Sequence, residues 1–344
     1  MENHMKKFVR VAAFVVALST VLLCGCKASE TTSQWTPPTG TSSEETPAPE
    51  ESSEEPSEES SQDENGTQYP VELTDIYGNK AVIEADPQRV VSCSPACTEL
   101  VFSLGQEDTL VGRTDYCNYP AAAEKIESVG EIMTPNVEAI VALEPDLIIA
   151  DSIFSQESYE QLTELGYTVV ILNEETTVDG VYKKITDLGE ILDANDEAAE
   201  LIADMKARIG DVQAQLADSD EEAPTVYYVV SFGEYGDYTC GGDTFINDII
   251  KSAGGVNIAE DVQGWNYDVE ELVKKDPDII LVPLWAYDSF IATAPYSDLS
   301  AVKNNKVFAI DTDMLDRQCA RNADAVEELA KLFYPEVFAD AKAA

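Results

Sequence analysis

The chain predicts an α/β fold of two lobes, each with a central parallel sheet flanked by helices, joined by one long inter-lobe helix. Three observations predict it. The stretches NVEAIVALEPDLIIA from Asn136 and DVEELVKKDPDIILV from Asp268 repeat one pattern: a glutamate, six residues, Pro-Asp and a branched apolar run. Strand-like runs alternate with helical patterns on both sides of the midpoint, as in parallel sheets covered on both faces. Between the halves, 196–216 carries Leu201, Met205, Ile209, Val212 and Leu216 on one stripe, a helix about 30 Å long.

In chain order, 71–73 and 81–83 flank Tyr77-Gly78-Asn79, a turn signal, and predict an opening hairpin. Strands are expected at 89–93, 110–112, 147–150 and 169–172 in the first lobe, and at 226–230, 279–282 and 307–310 in the second. Helices start near Asp243 and Asn322. In the repeat, Val137, Ile140 and Val141, or Val269, Leu272 and Val273, share a helix face until Pro-Asp stops the helix. The run that follows is apolar on both faces and reads as a buried parallel strand. Glu138 and Glu270 stand near the two helix starts, where acids are favourable by a few tenths to about 1 kcal/mol. Their matched placement leaves a second role open.

The N-terminus carries Lys6, Lys7 and Arg10, then an uncharged run over 11–23 that is short for a membrane span. This is a secretion signal. Its ending, Leu23-Cys24-Gly25-Cys26, resembles the lipobox of bacterial lipoproteins and implies lipidation at Cys26; Cys24 departs from the usual small residue. Residues 28–68 hold no lysine or arginine and are dense in Ser, Thr, Pro and Glu. Such a segment cannot bury enough apolar surface to offset its chain entropy, so it is expected to be a self-repelling tether reaching roughly 35–40 Å or more. The predicted organisation is a signal peptide over 1–25, a lipid-anchored acidic tether over 26–68, an N-terminal lobe over 69–176, connecting helices over 177–222 and a C-terminal lobe over 223–344. The expected location is extracytoplasmic, on the membrane of a Gram-positive envelope, where a solute receptor needs a lipid to retain it.

A formal charge of −45 argues against nucleic acid as a partner. Beyond the signal and lipobox remain Cys93, Cys97, Cys117, Cys240 and Cys319, an odd number without close pair spacing. They read as small buried or loop thiols rather than a zinc site, with one bridge possible. The single histidine, His4, lies inside the predicted signal. Its absence from the rest removes Ser-His-Asp and Cys-His catalysis, HExxH zinc chemistry and histidine-ligated haem together.

The stretch RVVSCSPACTELVFSLG from Arg89, followed by LVGRTDYCNYP from Leu110, resembles the solute-binding lipoproteins of ABC importers for cobalamin, ferric siderophores and haem. The repeated glutamate-to-Pro-Asp motif and the long helix fit the same family, the class III periplasmic binding proteins. The resemblance spans roughly 69–338. It implies a monomeric receptor with a shallow cleft between its lobes, and one glutamate per lobe docking on the two subunits of a permease that works with its ATPase. By position those are Glu138 and Glu270; Glu271 is the rival for the second.

Ligand-binding residues are expected on loops that follow strand ends. In the first lobe these are Ser94 and Pro95, Tyr116 and Tyr119, and 151–154 with Phe154. In the second they are Tyr235, Tyr238, Trp265, Trp285, Tyr287 and the segment from Asp313 through Arg317 to Arg321. Aromatic faces offer large apolar contact with little entropy to lose, which suits a bulky macrocycle; Tyr119, before Pro120, reads as structural. TDMLDRQCAR from Thr312 resembles the last cleft loop of the cobalamin-binding branch, with Asp313 and Arg317 in matching positions. Ile132 and Asp151 stand where that branch has further cleft tryptophans. A negatively charged ferric chelate would call for convergent cations, for which Arg113, Arg317 and Arg321 are the candidates. Haem would need a tyrosine, such as Tyr116 or Tyr235, or a cysteine as axial ligand. The bound ligand is therefore ranked as a cobalt corrinoid, then a ferric siderophore, then haem, with no resident cofactor. Catalysis by Ser94 finds no histidine base and no G-x-S-x-G elbow. Paired carboxylates acting on glycosides, or an adhesin, remain the alternatives of a different class.

Overall fold

The computed structural model describes residues 66–339 except Ile76; the signal, Cys26 and most of the acidic segment lie outside the described residues. The first strands, β1 (Val71–Thr74) and β2 (Lys80–Ile83), form the expected antiparallel hairpin with Val71 opposite Ile83. The N-terminal sheet contains β3 (Val90–Ser92), β4 (Leu110–Arg113), β5 (Leu147–Ala150) and β6 (Val169–Ile171). It is covered by α1 (Pro95–Ser103), α2 (Val137–Ala142) and α3 (Gln156–Glu164). Then come α4 (Val178–Ile191) and α5 (Asn195–Ala217). The C-terminal lobe runs β7 (Thr225–Tyr228), α6 (Phe245–Ser252), β8 (Val256–Asn257), α7 (Val269–Lys275), β9 (Ile279–Pro283), α8 (Tyr287–Ala292), α9 (Ser300–Lys303), β10 (Val307–Ile310), α10 (Asp313–Asp316) and α11 (Asn322–Phe333).

The strand orders are β4-β3-β5-β6 and β8-β7-β9-β10, and every pairing in both sheets is parallel. Counted within each lobe, both orders are second-first-third-fourth. The duplication seen in one sequence motif therefore extends to the topology of whole sheets. The two-residue β8 was not anticipated, because two residues show no periodicity.

The structure gives the Pro-Asp of the repeat a physical role. Asp146 accepts backbone hydrogen bonds from Gln88 at 2.8 Å and Arg89 at 3.0 Å, just before β3. Asp278 accepts from the backbone nitrogen of Thr225 at 2.9 Å and from its hydroxyl at 2.6 Å, at the start of β7. Each aspartate thus fastens the start of the third strand of its sheet to the start of the first, fixing the register of the central pair. The residue before each proline turns left-handed, with φ of 47° at Glu144 and 41° at Asp276. That geometry ends the helix and turns the chain into the strand.

The long helix expected between the lobes is α5, and α4 precedes it in the connecting segment. α5 packs along α4 on one side and α11 on the other. Its stripe residues Met205, Ile209 and Val212 are buried, and Leu201 and Leu216 pack at the edge. One uninterrupted core runs from Val90, Leu100 and Leu147 through Ile185, Leu188 and Met205 to Val226, Ile249 and Leu329. Each lobe adds an outer cluster of its own, around Ile140 and Ile148 in the first and around Phe290 and Tyr296 in the second. Arg208 on α5 also binds Asp324 and, at 2.8 Å, Glu327 on α11. A close-packed core that crosses the lobe boundary resists hinge opening, because opening would separate packed surfaces.

Glu144 and Asp276 differ in a testable way. The side chain of Glu144 is exposed, whereas Asp276 accepts from the Ser300 backbone at 2.8 Å and its hydroxyl at 2.6 Å. Glu144→Gly is expected to stabilise the fold by up to about 1 kcal/mol by relieving the left-handed strain. Asp276→Gly is expected to give no gain. Denaturant unfolding of both variants checks the contrast.

Candidate functional site

In parallel sheets, ligands are met outside the carboxyl ends of the strands, where the strand order reverses. Here that point lies between β3 and β5 in one lobe and between β7 and β9 in the other. Helices α2 and α7 lead into β5 and β9 from the opposite direction, so their N-termini lie at the same carboxyl edges. Asn136 caps α2 by accepting from the Ala139 nitrogen at 3.1 Å, and Asp268 caps α7 by accepting from Glu270 at 2.7 Å. Glu138 and Glu270 are exposed and, among the described residues, form no ion pair, whereas Glu271 is bound to Lys274 at 3.1 Å.

Several expected cleft residues of the first lobe take other roles. Ser94 is fully buried; its hydroxyl caps α1 by accepting from the Cys97 nitrogen and donates to Asp151 at 2.5 Å. Pro95, the first residue of α1, is buried too. Phe154 is only 3% exposed, in the outer core of the lobe, while its neighbour Ile153 is 48% exposed. The surface role therefore falls one residue earlier than expected. Tyr116 is exposed, as anticipated. Tyr119 lies beneath Arg321, whose guanidinium carbon stands 4.1 Å from the ring centre. Arg113 donates to the carbonyls of Ala123, Thr114 and Glu124 and so is a loop brace.

In the second lobe Trp265 and Trp285 are exposed, Trp285 the more so at 78%. Tyr238 is half-buried, its ring edge 3.0 Å from where a Cβ on Gly236 would stand; Gly236 has φ +91° and leaves room for that ring. Tyr287 is half-buried against the outer core. Tyr235 lies in a short turn, and its side chain is outside the described residues. Exposed apolar residues that sequence reasoning did not single out for the site include Met133, Val230 and Leu284.

The segment from Asp313 to Arg321 meets the first lobe rather than open space. Arg317 binds Glu99 of α1 at 2.7 Å, Asn118 at 2.9 Å and Asp313 at 2.6 Å. Arg321 is buried and binds both oxygens of Glu99, at 2.7 and 2.8 Å. The Cys319 thiol adds a contact to Glu99 at 3.1 Å. Gln318 exchanges two hydrogen bonds with the backbone of Glu175, closing the floor between the lobes. Above that floor lies a cavity of about 540 Å³ lined by Glu174, Glu175, Asp243, Asp316, Trp265 and Phe245 among others. Its thirteen lining residues include four carboxylates and no lysine or arginine. Asp316 there accepts from the Tyr228 hydroxyl at 2.9 Å.

All five cysteines of the folded part are buried and unpaired. Burial pushes the Cys97 thiol up to about 11 and Cys240 up to about 12, so neither is a thiolate near neutral pH. Among the described residues no cluster of cysteine, aspartate or glutamate is arranged to hold a metal ion. Ser94→Ala is expected to lower stability by about 1 kcal/mol through the lost cap and to leave the cleft surface unchanged. Thermal unfolding, with acrylamide quenching of Trp265 and Trp285 as the surface readout, checks both halves.

Comparison with known proteins agrees with this architecture. The periplasmic binding protein family model matches residues 90–314. The uncharacterized ABC transporter substrate-binding lipoprotein YvrC of Bacillus subtilis is 34% identical over 78% of this chain and 87% of its own. The cobalamin-binding protein of Halobacterium salinarum is 30% identical over 77% of this chain and 74% of its own. A solved periplasmic haem-binding protein of Pseudomonas aeruginosa superposes with a TM-score of 0.67 at 24% identity, over 73% of this chain and 94% of its own, which is a likeness of fold alone. Two lobes of identical strand order, a core shared between them and a match over most of the folded part make this chain a member of the periplasmic binding protein family.

Proposed function

We propose that this protein is the substrate-binding lipoprotein of an ABC importer, lipid-anchored outside the cell through Cys26, and that it captures a neutral metal-chelate macrocycle of the corrinoid class. The observation that carries the ligand choice is the charge of the cleft. Its cavity presents four carboxylates without a basic residue, and the arginines nearby are already bonded, Arg317 and Arg321 to Glu99 and Arg113 to carbonyls. Anionic ferric chelates and haem propionates require convergent cations, which this arrangement does not offer. Exposed apolar surface at Tyr116, Ile153, Trp265, Leu284 and Trp285 suits a large ring. The name of the Halobacterium salinarum relative points the same way, while that of the Bacillus subtilis relative supports the importer role without a ligand. No chemistry on the ligand is needed: the cleft holds it and the complex meets the membrane permease.

Titration with cyanocobalamin, several ferric siderophores and haem, followed by quenching of Trp265 and Trp285, is expected to give saturable binding of the corrinoid. Tight binding of a siderophore or haem without any of cobalamin would overturn the ligand assignment.

Glu138 and Glu270 are proposed as the contacts with the two subunits of the permease, which in turn works with its ATPase. They are exposed, unpaired among the described residues and placed alike on the two lobes. Charge reversal at both, Glu138→Lys with Glu270→Lys, is expected to abolish uptake in cells while ligand affinity stays within about twofold. Normal uptake by the double variant would refute the docking role.

A further inference from the structure

The Glu99 carboxylate stands where the lobes meet and faces both arginines of the last cleft loop. Its side chain is 3% exposed, and those of Arg317 and Arg321 are 11% and 10% exposed. Arg317 is also bonded to Asp313, and Arg321 lies 3.6 Å from Asp311. Two cations therefore meet three carboxylates, and only Glu99 touches both. It is the one acid of the three contributed by the first lobe. A buried carboxylate between two guanidinium groups is held by charge-assisted, partly bidentate bonds in which donors and charges are matched. Arg317 is bonded to Glu99, Asp313, Asn118 and the Tyr116 carbonyl, and Arg321 to Glu99 with its guanidinium over the Tyr119 ring, which leaves little of either group for a ligand.

We propose that Glu99 is a specificity-determining positioning residue: by holding Arg317 and Arg321, it keeps the cleft without available cations and makes the receptor discriminate against anionic chelates. It acts through the arginines and does not itself touch the ligand. The inference rests on the cleft being the binding site, and it extends that reading from which ligand is taken to how others are refused. Removing the charge of Glu99 leaves its shape in place and releases two guanidinium groups beside Tyr116 and Asn118, whose atoms already contact Arg317.

The test compares a triply anionic ferric tris-catecholate with an uncharged ferric trihydroxamate on wild type, Glu99→Gln, Asp313→Asn and Glu99→Gln with Arg317→Gln. The readout is the ratio of the two affinities. Glu99→Gln is expected to shift that ratio towards the anion by about tenfold or more, equivalent to about 1.4 kcal/mol. Adding Arg317→Gln should reverse most of the shift. A role confined to holding the lobes together would weaken both chelates alike and leave the ratio unmoved. Asp313→Asn removes a partly exposed partner of Arg317 and is expected to shift the ratio in the same direction by a smaller factor. It decides the matter alone should Glu99→Gln fail to unfold cooperatively. An unchanged ratio in the folded variants overturns the proposal. Absence of cobalamin binding by the wild type, with the ratio still shifted, would sink the corrinoid assignment and leave the role of Glu99 standing.

Discussion

The shared core between the lobes is the constraint from which the other features follow. Because α4 and α5 pack into apolar side chains of both sheets, the lobes are two faces of one packed body. The carboxyl edges of the sheets bound a cleft whose width is set by side-chain volume. Polar contacts then tune a geometry that packing has already fixed. Arg208 ties the connector to α11, Gln318 ties the floor to Glu175, and Glu99 joins the two arginines of the far lobe. Each bridges elements far apart in sequence.

Charge in the cleft is organised by pairing as well as by composition. A chain with a formal charge of −45 has few cations to distribute, and the three candidate arginines are held, Arg317 and Arg321 by Glu99 and Arg113 by carbonyls. An acid on α1 would ordinarily be a solvated helix residue. Here it is buried, because the neighbouring lobe supplies five-donor guanidinium groups that match its oxygens. The cost of desolvating these charges is offset only while all of them stay together. The cluster is therefore sensitive to the loss of any one member.

What the sequence revealed depended on whether the signal was local. Two lobes were legible because the repeat places glutamate, proline and aspartate at fixed spacing within one helix-turn-strand unit. That Asp146 and Asp278 fasten neighbouring strands was not legible, since their partners lie 57 or 58 and 53 residues away. Phe154 and Ile153 were confused because β5 is buried on both faces and offers no alternation to set the register of the loop after it. Ser94-Pro95 carried a readable signal, a serine cap followed by proline in the first turn, which is a helix start more than a binding loop. Glu99 gave none: its partners lie 218 and 222 residues further along. The buried thiols were readable from their number and spacing alone.

If the shared core keeps the lobe spacing fixed, the proposed function gains a further consequence. Empty and loaded forms with nearly the same lobe spacing present nearly the same outer surface to any partner that grips both lobes at once. Such a partner would have little rigid-body displacement by which to tell them apart, so discrimination would fall to the loops proposed to meet the ligand, those that expose Tyr116, Trp265 and Trp285. Occupied and vacant receptors would then compete for the same seat, and an excess of vacant ones would slow delivery.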